Sequence, residues 1–167
     1  VSGKINISGG TGANTGAYVS YGQINNKATG EIIVNKGVGA YGVNGSKIVN
    51  EGLIQISGKT SATEGGVGIV GLSRKINSLG VPTADTFGTD LGSTPTTQKV
   101  IEIENKGTIK IYDGGTTPSS NAIGIYADNN TGVNRSRVTV LNNGEIVLGD
   151  KSVGVYIKGT REGRELT

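Results

Sequence analysis

Four residues in the middle of the chain carry the charges that acid–base chemistry on a polysaccharide would need: Glu102, Glu104, Lys110 and Asp113. Carbohydrate-cleaving proteins cluster such groups in a groove. Here Glu102 and Glu104 alternate with Ile101 and Ile103, so both fall on the outer face of a strand, where charge keeps an exposed sheet soluble. Nucleophilic catalysis of the Ser–His or Cys–His kind is closed, because the chain has no His and no Cys. Missing thiols also remove disulfide frameworks and thiolate metal sites, and they suit a chain exported through an oxidising compartment.

Two further motifs suggest ligands and fail on spacing. Ser57-Gly58-Lys59-Thr60 has the end of a phosphate-binding loop, but the position that needs the leading glycine is Leu53, and no helix-forming stretch follows. A calcium-binding roll needs aspartates in phase with a glycine-rich repeat. Asp85, Asp90, Asp113, Asp128 and Asp150 keep no such phase. Neither a metal nor a cofactor is expected.

The elements that position these residues are repeats. Gly-x-Ile-x-Ile occurs five times, starting at Gly3, Gly30, Gly52, Gly107 and Gly144. Its third and fifth positions are always apolar and its second and fourth mostly polar, which is the period of a half-buried strand. A second element follows each copy: Thr15-Gly16-Ala17-Tyr18, Val38-Gly39-Ala40-Tyr41, Val67-Gly68-Ile69-Val70, Ile123-Gly124-Ile125-Tyr126 and Val153-Gly154-Val155-Tyr156. Strict alternation directs its first and third positions to one side and its Gly and Tyr to the other, the Gly leaving room for the neighbouring ring. A third strand (Ile24-Asn25, Lys47–Val49, Val100–Ile103, Val138–Val140) precedes the next copy through Asn50-Glu51-Gly52, Asn105-Lys106-Gly107 or Asn142-Asn143-Gly144. That last chemistry reads as a turn tolerating positive φ.

Three short strands and three turns per repeat describe one coil of a right-handed parallel β-helix, all-β, with about five coils. Coil lengths range from 22 residues (Gly30 to Gly52) to 55 (Gly52 to Gly107), a tolerance that the strict short period of the left-handed hexapeptide type does not have. One coil buries too little to offset the entropy of ordering it, so neighbours must stack. Composition agrees: 30 Gly, one Phe and no Trp cannot fill a wide core, whereas Ile and Val suit a narrow one. No window offers the apolar run of a membrane helix. The start at Val1-Ser2-Gly3 leads us to expect a β-helix fragment, residues 1–167, of a longer protein.

Residues 73–98 break the repeat as an excursion from the rod. They hold Arg74, Lys75 and the single Phe, Phe87, and long excursions are where binding often resides. Shorter ones run over 114–121 and 128–137. These three residues, together with Tyr41, Tyr126 and Tyr156 of the tyrosine column that Tyr18 begins, are the candidate ligand contacts. The column also reads as an outer ladder joining coil to coil. Arg135, Arg137, Lys158, Arg161 and Arg164 bias the C-terminal part towards positive charge, without the interleaved aromatics of a nucleic-acid surface.

Asn-x-Gly-x-Ile-x-Ile followed by Val-Gly-Val/Ile-Tyr resembles the passenger domains of type V autotransporters, above all the very large fusobacterial outer-membrane adhesins and the vacuolating-cytotoxin-like passengers. The resemblance covers the chain except 73–98, and its motifs mark a β-helical passenger well and an individual member poorly. It implies a passenger carried across the outer membrane by a C-terminal β-barrel of the parent protein and exposed at the bacterial cell surface. It also implies that the partner is a surface protein or glycan of a host cell or another bacterium. The expected function is non-enzymatic adhesion, the rod setting reach and the loops specificity. The alternatives are a toxin-like passenger acting on host membranes and a polysaccharide-active β-helix enzyme.

Overall fold

The computed structural model describes residues 1–43, 45–58, 65–72, 75–76, 82–83, 100–128 and 137–158. They form strands and turns, arranged as a parallel β-helix with three strands per coil. Sheet A stacks β1 (Lys4–Ile7), β4 (Glu31–Val34), β7 (Leu53–Ile56), β12 (Thr108–Ile111) and β15 (Glu145–Val147). Sheet B stacks β2 (Asn14–Ser20), β5 (Gly37–Val43), β8 (Val67–Leu72), β13 (Ile123–Asp128) and β16 (Val153–Lys158). Sheet C stacks β3 (Gln23–Asn26), β6 (Lys47–Asn50), β11 (Val100–Asn105) and β14 (Arg137–Asn142). A short antiparallel pair, β9 (Lys75–Ile76) with β10 (Pro82–Thr83), stands outside these sheets.

Sheet A follows the period-2 pattern of its sequence. Ile5, Ile32, Ile54, Ile109 and Ile146 occupy one register column, each opposite its counterpart in the next coil. Ile32, Ile54 and Ile109 are wholly buried, as are Val34, Ile56 and Ile111 two places on. Sheet C closes the interior with Ile24, Ile48 and Ile103, and sheet B with Ala40, Ile69 and Ile125. Burying the aliphatic columns is the main favourable term in such a solenoid, and coil-to-coil backbone hydrogen bonds hold the register.

Sheet B departs from strict alternation. Gly39 and Ala40 both turn inward although they are consecutive: a Cβ on Gly39 would lie 2.3 Å from Ile54 Cγ2, and Ala40 is wholly buried. Val38 lies on the other side, packed in an outer cluster with Tyr41. The first and third positions of this element therefore face opposite ways, and the strand turns at its glycine. That glycine does not make room for a tyrosine ring. In coil after coil its missing side chain admits the isoleucine of sheet A and the carbonyl of the next glycine; a Cβ on Gly68 would sit 2.4 Å from Ile109 Cγ2 and 2.6 Å from Gly124 O.

The glycine that opens each sheet A strand after the first has a similar cause. A Cβ on Gly107 would stand 2.1 Å from Gly52 O, and that same carbonyl accepts the Thr108 N–H at 2.9 Å. Neither these glycines nor the asparagines before them adopt positive φ. The expected positive-φ turn is replaced by a close backbone approach that leaves no space for a side chain.

Candidate functional site

Each strand of sheet C ends on an asparagine that points into the rod. Asn26 Nδ2 donates to Asn50 Oδ1 at 2.8 Å, Asn50 to Asn105 at 2.7 Å and Asn105 to Asn142 at 2.7 Å. Asn26, Asn50 and Asn105 are essentially without solvent contact. A buried amide is costly unless it is paired, and here each side chain satisfies the next. Lys27 N donates to Val1 O just as Glu51 N donates to Asn26 O, so Val1 stands one coil below Asn26 in this column. Valine offers no side-chain donor, and Asn26 Oδ1 is the buried side-chain atom left without a partner among the described residues. The sequence carried a signal for this ladder, the Asn two places before Gly52, Gly107 and Gly144.

The outer face of sheet B carries the tyrosines. Tyr18, Tyr41, Val70, Tyr126 and Tyr156 form one register column, so the expected column is real and Val70 divides it into two pairs. Tyr18 and Tyr41 lie 5.7 Å apart between ring centroids and tilted, while Tyr126 and Tyr156 lie 5.5 Å apart and stacked within 8°. A ring stacked on its neighbour in the next coil gives one face to that neighbour, so the pairs work as ladders between coils. Tyr18 and Tyr156, on the first and last strands of the sheet, remain about half exposed.

Between the two pairs lies an apolar cluster on the outside of the rod: Val43, Val70 and Leu72 are buried, with Val38, Tyr41, Val67 and Tyr126 packed against them. Beside it a shallow groove of about 340 Å³ runs over Gly37, Val38, Gly65, Gly66, Val67 and Ile123. Asp128 is fully buried on this same side, and Tyr126 Oη donates to its Oδ2 at 3.2 Å. Neither the cluster nor the buried carboxylate follows from period-2 reading, because both are on positions that alternation assigns to solvent.

The structure separates the four residues examined for carbohydrate chemistry. Glu102 and Glu104 share the outer face of β11 in sheet C, whereas Lys110 belongs to β12 in sheet A and Asp113 to the segment beyond it. Each glutamate faces a lysine, Glu102 with Lys47 at 3.2 Å and Glu104 with Lys106 at 2.9 Å. The Glu104 hydrogen bond, aided by its charge, raises the Lys106 ammonium above its ordinary pKa. A small cleft of about 210 Å³ lies over Lys47, Glu102, Glu104, Thr139 and Leu141. Among the described residues, no three acidic side chains converge in a way that could hold a metal ion.

Ser57 leaves β7 with its N–H on Val34 O at 2.8 Å, and a Cβ on Gly58 would meet Asn35 O at 2.6 Å. Close packing at a strand exit accounts for Gly58; Lys59 and Thr60 fall outside the described residues. So do Arg74, Phe87, Arg135, Arg161 and Arg164, and of Lys75 only the backbone is described. Tyr41 and Tyr126 flank Val70 on one face, and Tyr156 follows Tyr126 in the next coil.

No family model, curated protein or solved structure matches the chain. The likeness to autotransporter passengers accordingly rests on its repeat residues.

Proposed function

We propose that this chain is a non-enzymatic segment of a bacterial surface passenger, a rod that displays loops and an outer sheet B surface to a protein or glycan on another cell. One observation supports this reading most: the coil keeps its register across an insertion of very different length. β8 ends at Leu72 and β11 begins at Val100, yet β11 pairs with β6 residue for residue, Glu102 on Lys47, Ile103 on Ile48 and Asn105 on Asn50. Other coils make the same step with two, three or eight residues. A scaffold that accepts such excursions without adjusting its interior suits display, in which binding residues change while the core is conserved in shape.

The test is binding by the purified chain, and by a variant lacking 74–97, to cultured host cells, bacterial cells and a glycan array. Within the removed segment the described strands β9 and β10 pair with each other, outside sheets A, B and C. The variant is expected to keep the β-sheet circular dichroism and melting temperature of the parent and to lose part or all of its binding. Glycan turnover by the parent would replace adhesion with an enzymatic reading, and leakage of liposomes would replace it with a toxin-like one. Unfolding of the variant would make the excursion part of the rod.

A further inference from the structure

We infer that the outer face of sheet B takes apolar side chains of a protein partner, rather than a glycan, at a groove over the middle coils. This rests on the adhesion reading and narrows its partner. Two register columns on the outside of sheet B run Thr15, Val38, Val67, Ile123, Val153 and Tyr18, Tyr41, Val70, Tyr126, Tyr156. Neither holds a charged residue. The outer columns of sheet A contain Lys4, Glu31, Lys110 and Glu145, and those of sheet C contain Lys47, Glu102 and Glu104. Charge enters sheet B at the far end of its strands, with Asp128 and Lys158. Charged side chains keep an exposed sheet soluble and unattached, so the side that lacks them is matched to an uncharged surface.

The groove of about 340 Å³ lies where these strands begin, its walls including Val38, Val67 and Ile123 of three successive coils, all half-buried. Asn121 contributes a polar side chain. The surroundings decide which occupant fits. β8 is paired on both sides, to β5 and to β13, so no backbone edge is open here for an added strand. Sugars are held on the face of an aromatic ring and by polar side chains. Tyr126 and Tyr156 instead turn their ring faces to each other at 5.5 Å, and Tyr126 Oη is engaged with Asp128 at 3.2 Å. A nucleic acid or an acidic glycan needs cations, and the two columns supply none. Aliphatic side chains gain by leaving water against Val38, Val67 and Ile123.

The test measures binding of the purified chain and its variants to the cells used in the adhesion assay. Val67→Lys puts an ammonium in the groove and should weaken binding about tenfold or more. Gln55→Lys, outward on sheet A of the same coil, should leave it unchanged. Val67→Thr keeps the shape of valine and adds a hydroxyl; it should weaken binding about threefold with the melting temperature of the parent. Binding should persist from about 0.05 to 1 M salt, since no ion pair is made. Protease treatment of the cells should abolish it, and periodate oxidation of their glycans should not. Full binding by Val67→Lys overturns the inference, as does loss of binding after periodate or with rising salt, and each of these leaves the adhesion reading standing. A parent chain that binds no cell overturns both.

Discussion

The asparagine column inside sheet C and the tyrosine column outside sheet B both recur coil by coil, and they differ in what an interruption costs. Val70 interrupts the tyrosines, and the strands on either side keep their register with it. The asparagines run without a gap from Asn26 to Asn142, and where Val1 stands in their place a buried oxygen is left unpaired. An interior position is set by its neighbours above and below, because an amide in a dry column has no water to turn to. An exterior position has alternatives, solvent at Tyr18 and Tyr156 and the apolar outer cluster at Val70, which is itself buried beside Val43 and Leu72. The outer surface is therefore free to vary while the interior is not, which is the division of labour expected of a rod that carries a binding surface.

The strongest break of this contrast is Ile54→Asp. An unpaired carboxylate in a column with no solvent contact should cost about 4 kcal/mol or more, abolishing the cooperative thermal transition in circular dichroism. Melting close to the parent would mean Ile54 does not face the interior. Asn50→Ala comes next. It strands the Asn105 oxygen and leaves the Asn26 amide with Leu53 O as its one acceptor, and a loss of about 2–3 kcal/mol is expected in urea unfolding; Asn142→Ala, at the exposed end of the column, should lose less than half of that. Gly68→Ala introduces a methyl against a backbone carbonyl that cannot swing aside, for about 2 kcal/mol. If it is neutral, the inward turn of sheet B at its glycines is wrong. Smallest is Tyr156→Ala, which removes one stacked, half-exposed ring and should cost about 0.5–1 kcal/mol. A loss as large as that of Asn50→Ala would erase the distinction between the two columns.

Sheet A was legible in the sequence because isoleucine at alternate positions admits only one inward face. Sheet B was legible as a strand and misread in direction. Glycine has no side chain to report which way it points, so Val38-Gly39-Ala40 looks like simple alternation when the backbone turns between Val38 and Ala40. The asparagines were visible as a repeat and assigned to turns, since a single polar side chain gives no sign that its partner is its own counterpart a coil away. Such pairing depends on stacking, and only the two-residue offset to the next glycine shared by Asn50, Asn105 and Asn142 hinted at it. The outer cluster of Val43, Val70 and Leu72 was hidden for the opposite reason: alternation assigns those positions to solvent, and burial there is not a local property. The tyrosine column was read correctly, and the residues of 73–98 named as ligand contacts lie outside the described structure.

The central claim is parallel, in-register stacking of successive coils, and a chain without native cysteine tests it directly. Gln55 and Lys110 are register partners in adjacent coils, and Val147 stands one coil further on in the same column. Adjacent partners lie about 5 Å apart at Cα, within disulfide range, and positions two coils apart lie about 10 Å apart, beyond it. Under mild oxidation, Gln55→Cys with Lys110→Cys should form an intramolecular disulfide rapidly and nearly completely, and Gln55→Cys with Val147→Cys should not. Failure of the first pair with closure of the second, or equal rates for both, would contradict the stacked coil.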